Sequence, residues 1–131
     1  MTPPFSLAEL REAAAALQGV AARTPLIEAP RLAERLGVPV RLKCEQFQPI
    51  GSFKMRGAYT ALARLSPEAR ARGVVTHSSG NHGQAVAAAA SRFGVRAVIA
   101  MPGRAPQIKV DGVRRHGGEV LGDRTAATER G

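Results

Sequence analysis

The sequence predicts an α/β fold built on a parallel sheet, and three observations carry that expectation. From residue 73 onward, short apolar runs alternate with helical segments in the order strand, helix, strand, helix, strand. That rhythm is what parallel sheets with right-handed crossovers produce. A chain of 131 residues with 44% hydrophobic content and 14 glycines can bury a core and lacks the composition of a disordered chain. No apolar run is long enough to cross a bilayer, no secretory signal pattern opens the chain, and a lone cysteine excludes an intrachain disulfide. A soluble, cytoplasmic protein is expected.

The elements follow in order. Ser6 and Glu9 form a capping box, with Phe5 and Leu10 as its hydrophobic staple. Leu7, Leu10, Ala14 and Leu17 then repeat on one helical face up to an exit at Gly19. Thr24 to Ile27 is expected to be extended, and Pro30 to Leu36 a short helix closed by Gly37. Val38, Val40, Leu42 and Cys44 alternate with polar residues or proline, the pattern of a half-buried strand, and Pro39 places its start at an edge. A helix from Ser52 to about Leu65 buries Met55, Ala58, Leu62 and Leu65. Ser66-Pro67-Glu68 caps a short helical turn. Gly73 to His77 reads as a buried strand, Asn81 to Phe93 as an alanine-rich helix ended by Gly94, and Val95 to Met101 as another buried strand. Pro106 starts a helix that Gly117 and Gly118 end, Glu119 to Leu121 is a short strand, and a further helix begins at Thr125.

Two stretches carry chemistry. In Gly51-Ser52-Phe53-Lys54-Met55-Arg56-Gly57-Ala58, Lys54 sits in the first turn of its helix beside a face of small residues. The positive end of a helix dipole disfavours a second positive charge, and a nucleophilic amine must be neutral, so the placement suits Schiff-base chemistry. An ordinary surface lysine on an amphipathic helix has the same local pattern. In Ser78-Ser79-Gly80-Asn81-His82-Gly83, a strand end passes directly into a helix start. Ligands of open α/β sheets bind at the carboxyl ends of strands, and a helix N-terminus attracts anions. A carboxylate or a phosphate fits there, as does a plain polar connection capped by Ser79 or Asn81. His77 and His82 lack metal-ligand spacing, and no Walker loop or G-x-G-x-x-G fingerprint is present.

A net charge of +9 raises the question of a nucleic-acid partner. The basic residues are scattered, there is no tryptophan and one tyrosine, and no nucleic-acid-binding motif occurs. Neither a nucleic acid nor a membrane is the expected partner.

Lys43-Cys44-Glu45, Gln48-Pro49-x-Gly51-Ser52-Phe53-Lys54-x-Arg56-Gly57-Ala58 and Thr76-His77-Ser78-Ser79-Gly80-Asn81-His82-Gly83-Gln84-Ala85 together resemble the fold-type II pyridoxal-phosphate enzymes, in the branch of threonine and serine dehydratases and serine racemases. The stretch from Met101-Pro102 through Ile108-Lys109-Val110-Asp111 to Gly117-Gly118-Glu119-Val120 is similar to biosynthetic threonine dehydratases, which act in isoleucine biosynthesis. The resemblance runs from about Thr24 to Leu121.

It implies a three-layer parallel-sheet fold, here incomplete, with residues 1–50 belonging to a larger cofactor-binding domain and 51–131 to a smaller substrate-loop domain. It implies pyridoxal 5'-phosphate as cofactor, an amino-acid substrate, and a homo-oligomer when complete. Residue by residue, Lys54 matches the lysine that holds the cofactor as an internal aldimine and takes up the substrate α-proton. Phe53 matches the residue packed beside the pyridine ring, and Asn81 the asparagine bonded to the ring hydroxyl. Ser78, Ser79, Gly80, Asn81 and His82 match the substrate-carboxylate loop, and Ser79 the serine that exchanges a proton on the face opposite the lysine in racemases. The implied reaction is loss of water from L-threonine or L-serine, giving a 2-oxo acid and ammonia.

The departures are equally specific. Family members are more than twice as long, and their glycine-rich phosphate cradle and the Ser, Thr or Cys facing the pyridine nitrogen have no counterpart here. The chain therefore reads as an N-terminal portion, expected to bind the cofactor loosely, to be inactive alone and to expose apolar surface. Serine racemization, a non-catalytic remnant and a basic nucleic-acid-binding module are the competing readings.

Overall fold

The computed structural model describes residues 4–122, so the helix expected from Thr125 lies outside the described residues. Helix α1 (Leu7–Ala16) opens with the predicted capping box: the Glu9 amide donates to Ser6 Oγ at 3.2 Å and the Ser6 amide to Glu9 Oε2 at 2.7 Å. Its apolar stripe is not buried. Phe5, Leu7 and Leu10 are about half exposed, and only Leu17, the C-cap residue just past the helix, is buried.

Strand β1 (Leu26–Glu28), helix α2 (Pro30–Leu36) and strand β2 (Arg41–Lys43) form a small antiparallel unit, with Ile27 opposite Leu42. Gly37 closes α2 in the left-handed conformation that glycine adopts without strain. The strand expected from Val38 to Cys44 is cut to three residues, and all three are exposed. A two-stranded ribbon has no further layer to cover its faces, so the alternating pattern buries only Cys44 at its end.

Helix α3 (Lys54–Ala63) buries Met55, Ala58 and Leu62 as predicted, but starts and ends inside the expected limits. Phe53 occupies the N-cap position with no side-chain cap, and Ser52 Oγ accepts only from the Lys54 amide, at 3.3 Å. The last turn tightens, with the Leu65 amide donating to the Leu62 carbonyl, so Leu65 lies outside the helix. Helix α4 (Pro67–Arg72) is capped by Ser66 as expected.

Strands β3 (Val74–His77), β4 (Ala97–Met101) and β5 (Glu119–Gly122) pair in parallel in the order β3-β4-β5, joined by α5 (Asn81–Arg92) and α6 (Gln107–Arg115). One face of β4, made by Ala97, Ile99 and Met101, is buried and belongs to the main core with α5, α3 and Val113 of α6. The other face is open: Val75 is 76% and Leu121 62% exposed. β3 is therefore half-buried rather than buried, because no layer among the described residues covers its outer side.

α5 packs against α3, α6 and the sheet, and Ala85 to Ala90 are all buried. Alanines with single-methyl side chains let three neighbours approach one helix. The Tyr59 and Phe93 rings meet at 4.8 Å between centroids where α3 meets the end of α5. A Cβ at Gly83 would lie 2.8 Å from Ile99 Cγ2, and one at Gly118 2.8 Å from both Ala87 Cβ and Val113 Cγ1. Both glycines are there so that α5 can sit close to β4 and to α6.

The N-terminal unit is tied to α3 by one polar network. Arg56 Nε donates to Glu45 Oε2 at 2.7 Å and Nη2 to Oε1 at 2.9 Å, a two-pronged pair. Thr24 Oγ1 also donates to Glu45. Gln48, 3% exposed, donates to Glu45 and to the Ala22 carbonyl and accepts from the Ala22 amide at 2.9 Å. The hydrogen bond from the Arg56 guanidinium is the main cause holding the Glu45 carboxyl down to about 2, from 4.5.

This shift has a stability consequence with a definite sign. A carboxylate whose folded pKa is depressed stabilises the fold above its unfolded pKa, and that contribution is lost as pH falls through the folded pKa. Glu45 therefore contributes fully above about pH 4.5 and loses its contribution towards pH 2. With the Arg56 side chain 36% exposed, solvent screening reduces the contribution to on the order of 2 kcal/mol. Glu45→Gln should be less stable by about that amount at pH 7, with the gap closing between pH 4.5 and 2 in urea titrations. A gap that stays constant across that range would remove the ion pair as its cause.

Candidate functional site

Lys54 and Asn81 are each the first residue of a helix, and those helices, α3 and α5, pack against one another. Lys54 is exposed, with Nζ 4.9 Å from the centroid of the Phe53 ring. Phe53 is itself 58% exposed. Among the described residues Lys54 Nζ has neither an ion-pair partner nor a hydrogen-bond acceptor. Lys43, by contrast, donates to the Thr24 carbonyl at 2.7 Å, and Lys109 to Asn81 Oδ1 at 2.6 Å. Of the three lysines, Lys54 alone has no hydrogen-bond acceptor among the described residues, its amine lying over the Phe53 ring.

The Ser78–Gly83 turn leaves the carboxyl end of β3 and enters α5. Its organising side chain differs from the expected one. Neither Ser79 nor Asn81 caps α5; Gly80 holds the N-cap position without a side-chain cap. Ser78 does the work instead, its Oγ accepting from the amide of Gly80 at 3.2 Å and of Gly83 at 3.0 Å. This serine comes five residues before the second amide it binds, outside the usual capping spacing, so the pattern of residues alone did not single it out.

With Ser78 satisfying those two amides, further donors remain. The amides of Asn81 and His82 lie in the first turn of α5, where no carbonyl of the same helix can reach them. Ser79 and His82 are exposed, and the Ser79 hydroxyl has no partner among the described residues. Free N–H groups, a hydroxyl and the helix dipole together suit a carboxylate. Among the described residues no group of three His, Cys, Asp or Glu is placed to hold a metal ion, and no helix is long and apolar enough to cross a membrane.

The donor set fits one end of an aldehyde-bearing pyridine cofactor. Lys54 offers the free amine, and Asn81 an amide whose NH₂ is available to a ring oxygen. For a phosphate, the sequence offers no glycine-rich cradle.

Comparison with known proteins bears on the family of the chain. The family model described as "Pyridoxal-phosphate dependent enzyme" matches residues 17–127. The biosynthetic L-threonine dehydratase of Pasteurella multocida is 54% identical over 102 residues, covering 78% of this chain and 20% of that protein. The structure of maize serine racemase superposes with a TM-score of 0.81 at 40% identity, covering 89% of this chain and 36% of that one. For the processed form of threonine deaminase isoform 2 from Solanum lycopersicum the TM-score is 0.72 at 41% identity, covering 91% and 36%. The chain thus spans about a fifth of the length of the dehydratase it matches. By its sequence, its parallel sheet and its structural neighbours, the chain belongs to the family of pyridoxal-phosphate-dependent enzymes of fold type II.

Proposed function

We propose that this chain is the lysine- and carboxylate-loop-bearing portion of an ammonia-lyase that removes water from L-threonine or L-serine, leaving a 2-oxo acid and ammonia. The observation that carries the reading is that two helices packed on one another begin, one with a Lys54 amine that has no hydrogen-bond acceptor among the described residues, the other with a donor-rich turn. In this reading residues 1–50 belong to the larger domain of the whole enzyme and 51–131 to the smaller. Relatives named as threonine dehydratases at about half identity support the reaction class.

When bound, pyridoxal phosphate supplies an electron sink that makes the α-proton of an amino acid acidic. Lys54 Nζ would be the group that receives that proton, and Phe53, whose ring centroid lies 4.9 Å from that amine, would pack beside the cofactor's ring. The Asn81 NH₂ would donate to the oxygen of the cofactor's ring hydroxyl. The substrate carboxylate sits on the amides of Asn81 and His82 with the Ser78, Ser79 and Gly80 turn around it. Of these groups, the Asn81 and His82 amides and the Ser79 hydroxyl have no partner among the described residues.

A second reading, serine racemization, has one specific observation in its favour. The Ser79 hydroxyl is exposed and unengaged, so it is free to exchange a proton on the side away from Lys54. The 42% identity to a serine racemase of Oryza sativa accords with it.

Two expected outcomes follow from these roles. Borohydride reduction of the chain with pyridoxal phosphate, followed by peptide mapping, should label Lys54 and neither Lys43 nor Lys109. Without borohydride the cofactor should be lost on dialysis, since no phosphate cradle retains it. Label at Lys109, or stoichiometric cofactor after dialysis, would contradict the assignment of the site.

The polypeptide that carries this segment within a full-length family fold should release ammonia from L-threonine or L-serine. Lys54→Ala should lower that rate by at least about 10³-fold. Ser79→Ala should abolish D-serine formation while Lys54 still takes up the cofactor. Undiminished ammonia release by the Lys54 variant would rule the mechanism out.

A further inference from the structure

Lys109 is the one lysine that the proposed chemistry does not use although it reaches the site. Its Nζ lies 2.6 Å from Asn81 Oδ1, and the two residues are 28 positions apart in the chain. An ammonium has only donors, so the amide atom facing it must be the oxygen. That contact decides which way round the Asn81 amide stands: the oxygen is occupied and the NH₂ is what the residue offers to a ligand. We propose that Lys109 is a positioning residue, holding Asn81 so that it presents donors alone, and so selecting an oxygen acceptor at that point of the site.

The packing of α6 on α5 supports this independently. Gly112 of α6 is buried against Gln84 of α5 so closely that a Cβ at Gly112 would lie 2.6 Å from Gln84 Cδ and Oε1. Lys109 precedes Gly112 by three residues, and Asn81 precedes Gln84 by three. The Lys109–Asn81 contact is therefore the same interhelical approach one turn nearer the helix N-termini. Competing acceptors are engaged or face elsewhere. Asp111 accepts from Gln107 Nε2 at 2.8 Å, and at two residues from Lys109 it points to another side of the helix. Among the described residues Lys109 has no carboxylate partner.

The proposal rests on the reading in which Asn81 faces the cofactor's ring oxygen, and it deepens that reading by naming what orients the amide. The chain has a single asparagine, so one side-chain NH₂ pair in a ¹⁵N-labelled spectrum reports on it directly. Lys109→Met should shift that pair and lower its heteronuclear NOE, Lys109→Arg should restore both, and Lys43→Met should change neither. Far-UV circular dichroism should be unaltered in all three. An Asn81 pair identical in the parent and Lys109→Met overturns the proposal, whatever the ligand.

The same variants titrated with pyridoxal phosphate, followed by its visible absorbance, test the ligand side. Lys109→Met should bind ~3- to 10-fold more weakly than the parent, the range for loss of one oriented hydrogen bond, and Lys109→Arg within about twofold. An NH₂ pair that moves with no change in binding overturns the assignment of a positioning role. Failure of the parent chain to label at Lys54 would instead overturn the reading of the site, and the amide spectrum separates the two failures.

Discussion

The fold depends on the burial of α5 on several sides at once. A helix whose central six residues are all buried needs side chains small enough to admit the sheet, α3 and α6 together, and five of those six are alanines. Glycines on both sides complete the fit by omission: Gly83 of α5 yields to Ile99, and outside it Gly112 yields to Gln84 and Gly118 to Ala87. Close packing of this kind tolerates little added volume, since an extra methyl in a dense interior forces rotamers or backbone to shift. The candidate site residues stand on these packed helices. Lys54 begins a helix packed on α5, Asn81 begins α5 itself, and Lys109 stands on the helix packed against its other side.

A second constraint acts on the entry to α3. The Glu45 carboxylate gathers Thr24, Gln48 and both prongs of Arg56, while Gln48 clasps the backbone of Ala22 through donor and acceptor together. Arg56 is two residues from Lys54, so the segment that carries the amine is tethered to the N-terminal part by this polar network as well as by the packing of Val20 on Met55. β1 and β2 are too short and too exposed to provide that anchorage themselves. Polar groups that are buried and fully paired specify one arrangement of the chain more sharply than apolar contact does.

Much of this was legible in the residues. The Ser6–Glu9 box, the Ser66 cap, the glycine stops at 37, 94 and 117, and the order of the parallel strands all follow from local chemistry with one structural outcome. The errors share a physical origin. Alternation from Val38 to Cys44 and the apolar run from Val74 to Val75 show that a side chain is suited to burial, but burial needs a second surface. Where none covers the strand, the same pattern is exposed. In the site, the motif residues were visible, but their partners were not. That Ser78 rather than Ser79 or Asn81 organises the turn, and that Lys109 reaches Asn81, depend on how the turn and two helices meet, which no local spacing encodes.

The Ser78 turn carries a further consequence. Its hydroxyl oxygen receives two amide hydrogens, which leaves the hydroxyl's own hydrogen as the one valence it can direct elsewhere. The loop therefore arrives already shaped, with its coiling entropy lost during folding rather than at the moment a ligand is captured. The unpaired backbone amides of Asn81 and His82 add two hydrogens at the same end, so that part of the turn favours an oxygen lone pair over an ammonium group.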